Sequence, residues 1–184
     1  MKNVLMIIGS LRKESFNRQL AEKVAELLKG KAEVTYLTYT DVPFINQDIE
    51  FPTPEAVARV RQEVLAADGI WIITPEHNSS YPGVLKNLLD WLSRPMTPGG
   101  TMGNTAISGK KATISGVAGR SAAAGSREKL AELLRFIRVN VLEEIQTGVS
   151  LGKESFLTNI LHLSEEQESA LKSQVEAFLQ FIEM

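Results

Sequence analysis

The run GIWIIT at residues 69–74 is apolar on both sides of any pleat, rich in β-branched and aromatic side chains, and too short for a core helix. A strand of this kind needs cover on both faces, which is the situation of a parallel strand packed between two layers of helices. It is the expected centre of a sheet. VLMII at 4–8 reads as a first strand and VTYL at 34–37 as a second, while KATISGV at 111–117 and VLEEI at 141–145 supply a fourth and a fifth. The two carboxylates in the last run suit a partly exposed sheet end.

Helical periodicity fills the intervals. Leu20, Val24, Leu27 and Leu28 share one face and are followed by Gly30 as a C-terminal cap. Thr53 and Pro54 predict an N-cap and first-turn pair before Val57, Val60 and Val64, with the helix ending near Asp68. Leu85, Leu88, Leu89 and Leu92 mark a third helix that ends before Pro95, and Leu130, Leu133, Leu134 and Ile137 mark a fourth. Ser164 with Gln167 is a capping-box signature ahead of Leu171, Val175, Phe178, Leu179 and Ile182. The stretch 38–52 is a polar, proline-containing loop. The stretch 94–109 is aperiodic and long enough to predict a lid or an insertion.

Five strands alternating with five helices give an α/β fold, an open parallel five-stranded sheet in the order 2-1-3-4-5 with helices on both faces. With 43% hydrophobic residues in 184, a single domain over 1–184 is expected. The absence of cysteine excludes disulfides, thiolate nucleophiles and cysteine-held clusters. A formal charge of −2 argues against a nucleic-acid binder that relies on a basic field, and the isolated His77 and His162 predict no metal site. No run approaches the ~20 apolar residues of a membrane span. Met1 leads straight into a core strand, so a cytoplasmic location is expected.

In a sheet of this order, ligands lie beyond the carboxyl ends of the strands, at the switch point between the first and third. The loop there, GSLRKESFN at 9–17, contains Gly9 for close backbone approach, hydroxyls on Ser10 and Ser15, the amide of Asn17 and the guanidinium of Arg12. Together with the helix start they describe an anion cradle. An ordinary strand-to-helix turn with capping serines is the competing reading. Neither G-x-G-x-x-G nor a triphosphate-binding loop is present, so a mononucleotide phosphate is the expected anion. Across the switch point, TPEHNSSYPG ends the third strand with a polar turn whose Asn78, Ser79 and Ser80 suit the edge of a planar heterocycle. Trp71 and Trp91 fall within apolar periodic elements and read as packing residues. Lys86, Asn87 and Asp90 read as helix residues.

GSLRKESFN after the first strand and PEHNSSYPGVLKNLLDW after the third resemble the two signature segments of the NADPH-dependent FMN reductase family, flavodoxin-like proteins that include quinone, azo-dye and chromate reductases. The resemblance implies that Ser10, Arg12, Ser15 and Asn17 bind the FMN phosphate. It further implies that Pro75, Glu76, His77 and Asn78 border the flavin ring. SGVAGRS at 115–121 is similar to the family's third flavin loop and makes Ser115, Gly116 and Gly119 ring-side candidates. His77 stands where the family more often has tyrosine. It is the one catalytic candidate, as a proton donor to reduced ring or quinone, against a plain exposed loop residue.

The implied activity is an FMN-dependent NAD(P)H oxidoreductase that takes a hydride from the nicotinamide and passes electrons to a small-molecule acceptor such as a quinone, free flavin, azo compound or chromate. A homodimer or homotetramer is implied as well. A flavodoxin-type electron carrier and a flavin-binding regulatory module are the alternatives. Arg12 and the small net charge speak against the carrier.

Overall fold

The structure, a computed structural model, describes residues 1–101 and 103–184. Strands β1 (Lys2–Ile8), β2 (Ala32–Tyr36), β3 (Gly69–Thr74), β4 (Lys111–Ala118) and β5 (Asn140–Leu142) form a parallel sheet in the order β2-β1-β3-β4-β5. A sixth strand, β6 (Gly148–Ser150), also pairs parallel with β4. Helices α1 (Phe16–Leu28), α2 (Glu55–Ala66), α3 (Gly83–Leu92), α4 (Ala124–Phe136), α5 (Lys153–Thr158) and α6 (Glu165–Glu183) complete the chain. Among the described residues no helix is long and apolar enough to cross a membrane.

The pleat divides the core into two layers. Leu5, Ile7, Ile70, Ile72, Ala112 and Ile114 face α2, α3 and α4, whereas Val4, Met6, Ile8, Trp71, Ile73 and Val117 face α1 and α6. All six residues of β3 are buried, as a strand at the sheet centre requires. Trp71 and Trp91 are fully buried, so both are packing residues. Trp71 meets Phe178 of α6 edge-on, with ring centroids 5.3 Å apart. Gly69 admits this helix, because a Cβ there would lie 2.7 Å from Ile182 and 2.8 Å from Phe178.

Several expectations shift. The second strand runs Ala32–Tyr36 rather than 34–37. α2 starts at Glu55 with Pro54 in the N-cap position, because the Thr53 hydroxyl donates to the Glu50 carbonyl at 3.3 Å and leaves the helix without a side-chain cap. The expected strand over 141–145 divides in two. β5 covers Lys111–Thr113 of β4 and β6 covers Gly116–Ala118, while the exposed Glu143 and Glu144 turn out to solvent between them. α5 had no periodic signal and adds a sixth helix. The capping box of α6 and the left-handed Gly30 (φ 76°) after α1 form as the spacing predicts.

The 94–109 stretch, of which Met102 lies outside the described residues, is anchored at its base away from the switch point. α3 carries the chain from the carboxyl end of β3 back to the opposite edge of the sheet, and the stretch joins there. Gly109 donates to the Arg138 carbonyl at 2.7 Å, and Lys110 Nζ donates to the carbonyls of Leu65 and Ala67, which precede β3. Ala106 and Ile107 are buried in the core. The base of the stretch is therefore structural, and its exposed part is a hairpin closed by the Pro95–Thr105 bridge.

Candidate functional site

Three loops leave the carboxyl ends of β1, β3 and β4 side by side. In the first, every backbone N–H from Ser10 to Asn17 other than that of Ser15 lacks a protein acceptor among the described residues. Backbone donors left open at the start of a 13-residue helix are a feature that could hold an anion. Gly9 sets the loop's origin: its N–H donates to Ile73 at 2.8 Å, and a Cβ would press on Pro75 at 3.1 Å. Ser10 is half-buried, and Arg12 is exposed. Arg12 is nonetheless held, donating to Asn159 Oδ1 at 3.0 Å and lying 5.4 Å from the centre of the Phe16 ring.

Two residues of this loop serve the framework. Ser15 is the N-cap of α1, its hydroxyl accepting from Arg18 N at 3.1 Å, so the capping reading holds for this side chain and leaves the open backbone donors of the loop unused. The Asn17 side chain is turned inward, donating to the Val117 carbonyl at 3.3 Å and accepting from Val117 N at 3.1 Å. Its amide braces the first loop against β4, which corrects the expectation that it reaches a phosphate.

The loop after β3 reverses through His77–Ser80. His77 and Ser80 exchange backbone hydrogen bonds at 2.9 and 3.1 Å, and Asn78 and Ser79 between them are left-handed, at φ 52° and 58°. That is the pattern of a tight hairpin turn of the primed kind. It leaves the side chains of His77 and Asn78 exposed. Pro75 is half-buried against Gly9.

Glu76 departs from the expected ring-side role of its side chain. Its carboxylate accepts from Ser126 N at 3.1 Å, at the first turn of α4, where a negative charge meets the helix's positive end. The Ser121 hydroxyl chiefly, with the N–H groups of Ser126 and Gly125 and the charge of Lys129, holds its pKa below the ordinary 4.5 against the opposing effect of burial. Lys129 also donates to the Ser79 carbonyl at 2.7 Å, and the hydroxyls of Thr74 and Ser126 lie 2.8 Å apart. The second loop is thereby fastened to the third.

In the third loop Gly119 is exposed, and a side chain there would meet no atom within 4 Å. Ala122 and Ala123 are both left-handed, at φ 50° and 57°. For non-glycine residues this costs about 1–2 kcal/mol each, and such strain clusters at ligand sites. Ser115 and Gly116 sit inside β4 and are corrections. The Ser115 hydroxyl is fully buried, accepting from Trp71 Nε1 at 3.0 Å and donating to Gln174 Oε1 at 2.9 Å. The Gly116 N–H is taken by the Thr147 carbonyl at 3.0 Å, and a Cβ there would fall 2.6 Å from that of Ala123.

Four supporting residues were missed in the sequence, and only one of them, Tyr39, left a hint there. Asn159 and Gln19 tie the segment after α5 to the first loop, with Gln19 Nε2 donating to the Asn159 carbonyl at 2.9 Å and Gln19 Oε1 accepting from Leu161 N at 2.7 Å. Tyr39 donates its hydroxyl to the Ile8 carbonyl at 2.6 Å, and burial pushes its pKa up. Gln174 of α6 holds β4 from behind. An aromatic residue two positions past the VTYL run was the one available hint.

Two lowered carboxylates give a pH prediction. Glu76 and Glu50 have folded pKa values below their unfolded ones, the latter chiefly through its hydrogen bonds from Arg94 Nε and Nη2, both 2.8 Å. Each contributes stability above the ordinary 4.5 that is lost as pH falls through the folded value. Glu76→Gln is expected to flatten the fall of the urea midpoint with acidification. An unchanged slope would show that Glu76 is not held ionised.

The model of the NADPH-dependent FMN reductases matches residues 2–154. A quinone reductase of Pseudomonas putida is 30% identical over 99% of this chain and 95% of its own. An NAD(P)H-dependent FMN reductase of Pseudomonas aeruginosa is 32% identical over 95% and 91%. Among solved structures, the flavoenzyme NAD(P)H:(acceptor) oxidoreductase FerB of Paracoccus denitrificans superposes with a TM-score of 0.87 at 30% identity, covering 100% of this chain and 98% of that one. A sheet of this order, the family match over residues 2–154 and two relatives matched over 95% and 91% of their own length place the chain in the NADPH-dependent FMN reductase family.

Proposed function

We propose that the three loops hold FMN, the phosphate on the loop from Gly9 to Ser15 and the ring between the turn at 75–78 and the loop at Gly119, and that NAD(P)H is the co-substrate. The run of unpaired backbone N–H groups from Ser10 to Asn17, with Arg12 tethered beside it, carries this reading. It offers more donors than a capped helix needs and fits a terminal phosphate dianion. FMN, when bound, supplies the two-electron chemistry that links nicotinamide to acceptor.

The chain's own part is placement. Asn17 and Glu76 fix the spacing of the loops, Gly119 leaves backbone open to the ring edge, and Ser115 and Gly116 support that loop from within β4. His77, exposed in the turn at 75–78, would hand a proton to a substrate beside the ring. The acceptor is a small molecule of the quinone, free-flavin, azo or chromate type, and the enzyme works in the cytoplasm. Exposed Phe44 and Phe136, at 85% and 81%, support a homodimer or homotetramer.

The test is steady-state oxidation. The FMN-loaded protein is expected to oxidise NADH or NADPH continuously when a quinone or free flavin is present. Tight FMN binding without turnover on any acceptor would overturn the enzyme reading in favour of an electron carrier.

A further inference from the structure

Arg127 of α4 stands outside every ion pair and side-chain hydrogen bond among the described residues, and its Nε is buried without a partner. Its guanidinium packs against Gly148 of β6, where the missing side chain makes room: a Cβ there would lie 2.6 Å from Nη2. Burial lowers its pKa, and the charge of Glu76 opposes that shift from beyond ion-pair distance. Arg127 as a whole is only half-buried, but a guanidinium carries five donors and stays charged, so one whose Nε is buried unpaired suits a ligand that meets the rest of the group.

The same cleft holds a second orphan. Thr147 is 2% exposed, lines the cleft with Arg127, and its Oγ1 has no partner. Gln146, Ser150 and Gln167 add neutral polar groups to the walls. The start of α6 is closed by its own capping box and surrounded by Glu165, Glu166 and Glu168, so the helix end is not the attraction. Arg127 is the permanently charged cation of the cleft, and His162, 3.9 Å from Glu154, also lines it.

We propose that this cleft, between β6 and the start of α6, binds a small oxyanion, with Arg127 as its charged anchor and the neutral polar walls completing its hydrogen bonds. The oxyanion is a phosphate or a carboxylate. Glu166 on the rim favours a compact anion close to Arg127 over an extended polyanion.

Inorganic phosphate and, in a parallel arm, succinate are titrated into the full chain, into Arg12→Ala and into Arg127→Met. Calorimetry gives affinity, and the Arg127 Nε–H resonance of the unaltered protein reports contact. Binding that persists in Arg12→Ala, weakens at least about tenfold in Arg127→Met and shifts the Arg127 resonance is expected, and the arm that binds names the anion. Binding lost in Arg12→Ala but kept in Arg127→Met belongs to the first loop and overturns the proposal. So does equal, unsaturable uptake by all three proteins. An unmoved Arg127 resonance with both anions at millimolar concentration overturns it without recourse to any variant.

Discussion

Gln174→Ala is expected to lower the unfolding free energy by about 3–5 kcal/mol, more than any other polar substitution in the chain. Gln174 is fully buried and every atom of its amide is used. Nε2 donates to Thr113 Oγ1 at 2.8 Å and to the Ile114 carbonyl at 2.9 Å, while Oε1 accepts from Thr147 N at 2.8 Å and from Ser115 Oγ at 2.9 Å. Truncation would strand those partners in a core that water does not enter, and each stranded group costs about 1–3 kcal/mol. Urea unfolding measures the loss. Gln174→Glu, which keeps the oxygen that accepts from Ser115 and Thr147 and loses the donating Nε2, separates the two halves of the network. A loss under about 1 kcal/mol for the alanine variant would mean that the four partners find one another without the amide.

Arg12→Ala is expected to weaken FMN by about 1.5–3 kcal/mol, roughly a tenfold to hundredfold change in Kd, while riboflavin binds nearly as before. The contrast follows from the position of Arg12 on the loop with open amides, away from the turn at 75–78. Asn159→Ala is expected to act in the same direction but less, because Asn159 only holds the guanidinium in place. Flavin fluorescence quenching measures both affinities. Equal losses for the two flavins would put the phosphate elsewhere.

The strand order was legible because it rests on periodicity. GIWIIT had to be covered on both faces, and its neighbours followed from the connection rules. The first loop was legible for a related reason: backbone donors at a helix start follow from position alone. Asn17 was not legible, since its partner Val117 lies 100 residues away and an amide near a suspected anion looks like a ligand. Ser115 was misplaced by motif although the pleat could have settled it. Val117 faces α1 and α6, and two residues earlier on the same strand Ser115 must face them too. Glu76 sits in a ring-side motif, but its destination depends on where α4 begins, and that beginning has no capping residue to announce it.

The interrupted edge of the sheet bears on how the first loop is supported. On the side of β4 away from β3, between β5 and β6, no strand pairs with Ile114 and Ser115, and there the Gln174 side chain takes the part of a peptide group, one end donating to Ile114 and the other accepting from Thr147. A residue of the last helix thus supplies a rung of the β-ladder. The segment below that rung, from β6 through α5 to Asn159, is the one that steadies Arg12. Docking of the carboxyl-terminal helix and firmness of the Arg12 tether are therefore a single mechanical property, and selection acting on either would be felt by both.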